Sequence, residues 1–112
     1  MRVRQKSEHT DWEQDGFFVD ANGVLVKCYD HVVLLTDVEV REQGHGGPFE
    51  IVPAGSTAVP LFYTKSEPVI LDVECLLGEG AFCFAETKAS DVQLLATGEE
   101  LRGVESLPEQ KR

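Results

Sequence analysis

The sequence is poor in positive charge and contains no long apolar segment. Its 112 residues include 10 Lys and Arg against 20 Asp and Glu, which gives a formal net charge of −10 at pH 7. No apolar run approaches the roughly 20 residues that a membrane-spanning helix requires. The first residues, MRVRQKSEHTDWEQDG, include basic positions but lack the apolar stretch of a secretory signal. We therefore expect no membrane association and, by default, a cytoplasmic location.

Positive charge is scarcest in the middle of the chain. Between His31 and Ala96 there are 3 basic and 10 acidic side chains, a net charge of −7. Because proteins bind DNA and RNA largely through Lys and Arg that neutralise phosphates, we expect no nucleic-acid partner. A basic protein partner would suit this surface better. Plain solubility is the other explanation of an acidic surface, and a common one.

Motifs for covalent or metal chemistry are also scarce. The three cysteines, Cys28, Cys75 and Cys83, are odd in number and two of them fall within predicted strands, so we expect no disulfide scaffold. The spacing between Cys75 and Cys83 matches no zinc-binding pattern, even with His31 or His45 as a further ligand. His45 lies in a glycine-rich segment, but no Gly-Lys-Ser/Thr sequence and no helix follow it, which excludes a phosphate-binding loop.

Three acidic residues on the predicted strands are the remaining candidates for chemistry. Asp72 and Glu74 lie on one strand face, and Glu86 could face them from the next strand. Such a group can serve as a general acid and base or bind a cation, but an exposed acidic sheet face is the simpler interpretation. No serine occupies a nucleophile elbow, and no dinucleotide-binding fingerprint is present. We therefore predict no catalytic residue, no metal or cofactor, and no enzymatic activity.

What the sequence does contain is a series of short β-strand patterns, rich in β-branched and aromatic residues. They cover Thr57 to Tyr63, Pro68 to Cys75 and Ala81 to Thr87. Lys88 to Asp91 is long enough only for a single 3₁₀-like turn, after which Val92 to Leu95 returns as a closing strand. Because proline lacks the N–H that a strand ladder requires, Pro60 predicts a sheet edge or a bulge.

Further patterns precede these strands. His31 to Leu35 predicts the first strand of the main sheet, which could extend to Val40. Arg41 to Glu50, with three glycines and a proline, predicts a long surface loop. Gly16 to Lys27 predicts an additional β-hairpin, because an Asn-Gly pair separates two apolar runs. The alternating apolar positions predict a core formed by Val32 or Val33, Leu71, Val73, Phe82 or Phe84, and Val92 or Leu94.

Five pieces of the chain between Tyr29 and Ala96 carry a family resemblance. They are DHVVLLTDV, VPAGSTAVPLFY, VILDVEC, FCFAET and ASDVQLL. Together they resemble a family of small bacterial SH3-like barrel domains of unknown function. The resemblance implies an all-β fold with a small five-stranded SH3-like barrel, and it supplies no catalytic motif. We expect one domain, 1–112, in which 1–28 form an N-terminal extension with the hairpin, 29–96 the barrel and 97–112 a short charged tail.

Several predicted strands are apolar at consecutive positions and therefore on both faces. Either the hairpin or a second copy of the chain must cover the outer face, and we expect a homo-oligomer, most simply a dimer. The candidate interaction residues are Phe17, Phe18, Val24, Val26, His45, Phe49, Phe62 and Tyr63. The chain is thus predicted to be a non-catalytic protein-interaction module that self-associates and binds an unidentified protein partner, which could be basic. The alternative is a small-ligand binder or enzyme whose site, including Trp12, His45 and Tyr63, forms between two copies.

Overall fold

Strands make up nearly all regular structure in residues 11–97, the part of the chain that the computed structural model describes. The strands are β1 (Trp12–Glu13), β2 (Phe18–Val19), β3 (Leu25–Val26), β4 (His31–Leu34), β5 (Val38–His45), β6 (Ile51–Val52), β7 (Thr57–Thr64), β8 (Ile70–Gly78), β9 (Ala81–Lys88) and β10 (Val92–Ala96). A 3₁₀ turn, Ala89–Asp91, connects β9 to β10. The predicted all-β fold is confirmed. Most of the predicted tail, 97–112, lies outside the described residues.

Eight of the strands form one antiparallel sheet that curls into a half-barrel. Its order is β10-β4-β7-β8-β9-β5-β6, and β1 pairs with β7. The meander β7-β8-β9 forms the centre, as the short polar connections between these strands predict. This architecture is consistent with a small β-barrel.

The interior of the half-barrel follows the alternation in the sequence. Val32, Leu71, Val73, Phe84 and Val92 are buried, as predicted. The other members of the predicted pairs, Val33, Phe82 and Leu94, are only half-buried. Because successive side chains of a strand point to opposite faces, the curled sheet encloses one set and leaves the other partly open to solvent.

Pro60 lies at a bulge, as its missing N–H predicts. The register between β7 and β8 shifts by one residue between Pro60 and Phe62. On the other side of β7, β4 pairs only with Thr57 and Ala58, and β1 pairs only with the last two residues of the strand. Pro60 therefore falls in the gap between these two partners, where its carbonyl accepts a hydrogen bond from the Tyr29 N–H at 2.9 Å. The missing N–H of Pro60 therefore costs the sheet no hydrogen bond between strands.

Two sequence predictions between residues 31 and 50 are wrong. The first strand ends at Leu34 and does not extend to Val40, because the chain turns before β5 begins at Val38. The predicted loop Arg41 to Glu50 begins instead as the second half of β5, which pairs with β9 with two irregularities in register. The Phe82 ring covers Gly44 so closely that a Cβ there would overlap it. Glycine in this segment allows two strands to approach closely. In the local sequence the same glycines predict a loop, which is why the prediction is wrong.

The predicted N-terminal hairpin is present as a separate two-stranded sheet, β2-β3. Phe18 is opposite Val26 and Val19 is opposite Leu25. In the turn, Gly23 has a positive φ of 79° but Asn22 does not, so only the glycine uses the backbone freedom on which the prediction rested.

A candidate interaction site beside the hairpin

The hairpin has one buried and one exposed face. Phe18 and Val26, opposite each other, are 3% and 0% exposed and pack into the core. Val19 and Leu25, the next pair, are 49% and 60% exposed. Alternation along two-residue strands thus divides the hairpin into an inner face that joins the core and an outer face that remains in solvent.

The outer hairpin face is a concentration of exposed apolar surface. Phe17 and Val24 flank the Val19–Leu25 pair and are 58% and 42% exposed. Within residues 11–97 these four make up half of the eight large apolar side chains that are strongly exposed; the others are Tyr29, Leu35, Ile51 and Leu95. Scattered apolar residues are common on protein surfaces, but a contiguous group is typical of an interaction site.

The Asp20 carboxylate fixes the hairpin to the main sheet. It is 5% exposed and accepts backbone hydrogen bonds from Asn22 and Val24 within the hairpin turn and from Leu94 of β10, at 2.8 to 2.9 Å. Burial raises the pKa of Asp20, but the N–H donors of Leu94, Val24 and Asn22 more than offset it, so the pKa lies below its ordinary value. The buried charge is therefore satisfied, and the hairpin is held in one position.

A cleft of about 590 Å³ separates the hairpin from the turn between β7 and β8 and from the 3₁₀ turn. Phe17, Phe18, Tyr63, Val69 and Ala89 are among its lining residues. The rings of Phe18 and Tyr63 pack at a tilt of 45°, with centroids 5.6 Å apart. The volume is within the range of about 300–1,000 Å³ that is usual for binding clefts.

Tyr63 connects the cleft to the N-terminal segment. Its hydroxyl donates a short hydrogen bond to the Asp15 carbonyl. Gly16, with a φ of +89°, lies against the same hydroxyl, and a Cβ there would be 2.9 Å from it. Burial, with smaller contributions from Glu13, Cys28 and Asp15, raises the pKa of Tyr63, which makes this phenol a poor proton donor near neutral pH. Its role in this geometry is to pack and to hold the chain.

The cleft rim carries more negative than positive charge. The Asp11 carboxylate accepts hydrogen bonds from the N–H groups of Lys65 and Ser66, at 3.2 and 3.0 Å, and a short one from the Ser66 hydroxyl. The Ser66 bonds hold the pKa of Asp11 below its ordinary value. Glu13 lies 3.8 Å from the Lys65 ammonium. Glu67 and Lys65 line the cleft, while Asp11 and Glu13 contact Lys65, and the exposed Asp15 lies next to Tyr63.

A second, smaller depression of about 420 Å³ lies between β5, β9 and the 3₁₀ turn. Its lining is mostly polar and includes Asp37, Glu39, Glu86 and Asp91. The Arg41 guanidinium lies 3.6 Å from the Glu86 carboxylate. Within residues 11–97, no group of His, Cys, Asp or Glu side chains has the arrangement of a metal site.

The predicted interaction residues fall into separate places. Phe17, Phe18 and Tyr63 meet at the cleft, and Val24 is exposed beside it, whereas Val26 is wholly buried in the core. Phe18, Val26 and Tyr63 are buried by their own chain, so they contribute little exposed surface, although Phe18 and Tyr63 line the cleft. Phe62 is half-buried and lies outside the cleft.

His45 and Phe49 lie far from Tyr63 in the same chain. His45 is opposite Phe82, which is opposite Leu76 of β8, whereas Tyr63 is opposite Leu71. Five residues of strand correspond to about 17 Å. The His45 ring stacks on Phe82 at 6.5 Å, and the Gln43 side chain bonds both the N–H and the carbonyl of Phe49. Within one chain these residues do not form a site with Tyr63.

The cysteines lie in the core. Cys28, Cys75 and Cys83 are free and buried, and Cys75 is directly opposite Cys83 on β8 and β9. Burial raises the pKa of Cys28 to about 11 and that of Cys75 to about 12, so both are thiols at neutral pH. A protonated, buried thiol is a poor nucleophile.

Sequence reasoning missed the contribution of residues 11–16 to the site. Trp12–Glu13 pairs with Thr64 and Tyr63, which brings Asp11 and Glu13 to Lys65 and Asp15 to Tyr63. A two-residue strand has no periodicity to detect. The one local signal was the Asp15-Gly16 pair before an apolar run, which indicates a turn but not its partner.

Comparisons with models of known families, with curated proteins and with solved structures found no significant match. The resemblance to SH3-like domains therefore stays a prediction. Among the described residues, no helix has the length and apolar character needed to cross a membrane.

Proposed function

We propose that this protein is a non-catalytic protein-interaction module that self-associates through the outer hairpin face, formed by Val19, Val24 and Leu25 with Phe17 at its margin. The observation that carries this proposal is the concentration of exposed apolar side chains on the hairpin, with Val19 and Leu25 on its outer face and Phe17 and Val24 exposed next to them in sequence. Burial of apolar area is worth about 25 cal/mol per Å², so covering this face favours association.

The attachment of the hairpin also supports this function. The inner face packs into the core and Asp20 bonds the turn to β10, so the outer face is presented in a fixed orientation. A preorganised surface loses less conformational entropy on binding than a mobile one. Two copies related by a twofold axis would place the same face against itself, which is the commonest arrangement in homo-oligomers.

The remaining parts of the proposal rest on charge and on the sequence patterns. Residues 11–97 carry 15 acidic and 4 basic side chains, which disfavours nucleic acid and favours a protein partner. No enzymatic activity and no membrane association are proposed. On the basis of the sequence patterns described above, we also propose a relationship to SH3-like domains and a cytoplasmic location.

Light scattering coupled to size-exclusion chromatography tests self-association. We expect a mass near twice 12.4 kDa at micromolar concentration. Leu25→Ser should shift the mass toward the monomer, because Leu25 is 60% exposed and its loss leaves the core intact. Ile51→Ser, at a site on β6 that is 50% exposed, is the matched control and should not. A monomer at all concentrations, or equal effects of the two variants, would refute the proposal.

A small-ligand site between two copies is the second candidate. The cleft favours it, because Phe17 and Val19 belong both to the cleft lining and to the hairpin, so a second copy on the hairpin could close the cleft. A ligand-observed NMR screen of small molecules would distinguish the two functions. Compounds that bind the wild-type oligomer but not monomeric Leu25→Ser would support the ligand site, and an absence of such compounds would leave the interaction module as the function.

A further inference from the structure

The walls of the cleft beside the hairpin suit an apolar occupant. Several of its polar groups are already engaged within the chain: the Asp20 carboxylate accepts three backbone bonds, and the Thr64 hydroxyl accepts one from Ile70 at 2.9 Å. In the described part of the chain no buried side-chain polar atom lacks a partner. The Phe18 and Tyr63 rings and the Phe17 side chain supply the apolar lining. An apolar side chain entering here gains burial while the buried polar groups of the wall keep their partners.

The charged residues at the rim of the cleft favour basic groups next to the inserted side chain. Near the cleft there are four carboxylates and one cation: Asp11, Glu13, Asp15, Glu67 and Lys65. The Lys65 ammonium lies 3.8 Å from the Glu13 carboxylate. Beyond the rim, the rest of residues 11–97 has the same sign. Basic groups beside the apolar side chain would therefore be attracted both at contact and during approach.

From these two observations we propose that the cleft binds a segment of a basic partner protein, with an aromatic or branched aliphatic side chain inserted between the hairpin and the β7–β8 turn and Lys or Arg beside it. This inference rests on the proposed interaction function and names the class of its partner. A second copy of the chain is not the occupant, because its described surface carries the same negative charge. The outer hairpin face has no charged side chain and can accept that copy.

Fluorescence anisotropy with labelled peptides tests the inference. The probe is a short peptide with one Trp flanked by Lys and Arg; the control peptides replace Trp by Gly, or Lys and Arg by Glu. We expect binding of the first peptide only, weakened by salt. Phe17→Ser should weaken it about tenfold, as expected for loss of an apolar contact at the cleft.

Charge variants distinguish the effect of the charges near the cleft from the effect of the net charge of the molecule. Asp15→Asn with Glu67→Gln should weaken the peptide about threefold or more at low salt, whereas Lys65→Gln should strengthen it, since the cation opposes the peptide. Glu50→Gln with Glu79→Gln removes the same charge from exposed sites away from the cleft and should have a smaller effect. A gain of affinity in Lys65→Gln cannot result from misfolding.

Several outcomes would overturn the inference: no binding of the Trp peptide, equal binding of the Glu or Gly peptides, or equal effects of the two double variants. These outcomes leave the self-association test untouched. If Leu25→Ser dissociates the oligomer while the peptide fails to bind, the partner class is wrong and the self-association stands.

Discussion

At the scale of single residues, Asp20 shows how a buried charge can be part of a stable hairpin. A carboxylate removed from water costs free energy unless hydrogen bonds replace its hydration. Here three backbone N–H groups do so, two from the turn and one from Leu94 of β10. The same group therefore shapes the turn and fixes the hairpin to the sheet.

Asp20 makes the stability dependent on pH. Its folded pKa is lowered, so the unfolded chain binds its proton more readily. The stabilisation is fully present above the unfolded pKa of about 4 and is lost as the pH falls through the folded value. Asp20→Asn should lower the free energy of unfolding at pH 7 by about 1–3 kcal/mol, because an amide cannot accept all three bonds.

Urea unfolding at pH 7 and pH 3 measures this effect. The difference between wild type and Asp20→Asn should shrink at pH 3, where the wild-type carboxylate begins to lose its advantage. Asp37→Asn is the control, because Asp37 is exposed and accepts a single bond, from Ala54 at 2.8 Å, which the amide oxygen can keep. If both variants cost the same free energy at pH 7, Asp20 does not hold the hairpin.

Gly16 and Gly23 separate two reasons for glycine. Both have a positive φ, +89° and +79°, so alanine strains the backbone at either position by about 1 kcal/mol. Only Gly16 also faces an obstacle, the Tyr63 hydroxyl, at 2.9 Å from the added Cβ, whereas nothing lies within 4 Å at Gly23. We expect Gly16→Ala to lower the free energy of unfolding more than Gly23→Ala. Equal losses in chemical denaturation would show that the Tyr63 contact adjusts without cost.

At the scale of elements, β5 and β9 are joined by an aromatic ring over a glycine. Gly44 has no positive φ, so its backbone would accept alanine. The Phe82 ring and the Phe82 carbonyl nevertheless occupy the place of the Cβ. Gly44→Ala should therefore destabilise the protein by about 1–3 kcal/mol, the usual cost of overpacking.

Denaturation of Gly44→Ala and of Gly55→Ala tests this contact. Gly55 has a φ of +94° with no atom within 4 Å, so its substitution reports backbone strain alone. The aromatic proton NMR shifts of the Phe82 ring should change only in Gly44→Ala. Unchanged stability and unchanged ring shifts in Gly44→Ala would show that the ring does not pack on Gly44.

Local patterns predicted the elements that depend on local chemistry. The meander β7-β8-β9, the 3₁₀ turn and the hairpin each follow from alternation or from turn residues within a few positions. The second half of β5 could not be predicted in this way, because its one glycine, Gly44, is explained only by Phe82, about forty positions later in the chain. For the same reason Phe17, Phe18 and Tyr63 were predicted as interaction residues without the cleft that they line, and the acidic residues near it depend on the pairing of β1 with β7.

At the scale of the whole molecule, a net charge of −10 acts on every association. Two copies carry like charges and repel, whereas a basic partner is attracted. Charges farther apart than about 8 Å are largely screened at physiological salt, so salt should weaken both the repulsion and the attraction. Self-association and partner binding are therefore expected to respond to salt in opposite directions.

Sedimentation velocity over a series of salt concentrations tests this expectation on the wild-type chain. Because the outer hairpin face is uncharged, we expect the proposed oligomer to be held by apolar burial and opposed by long-range repulsion, so its dissociation constant should fall as salt rises. Over the same series the Trp peptide with Lys and Arg should bind more weakly. Leu25→Ser should stay monomeric at every salt concentration. An oligomer that dissociates on addition of salt would show instead that ionic contacts join the two copies, and the apolar hairpin face would then not be the interface.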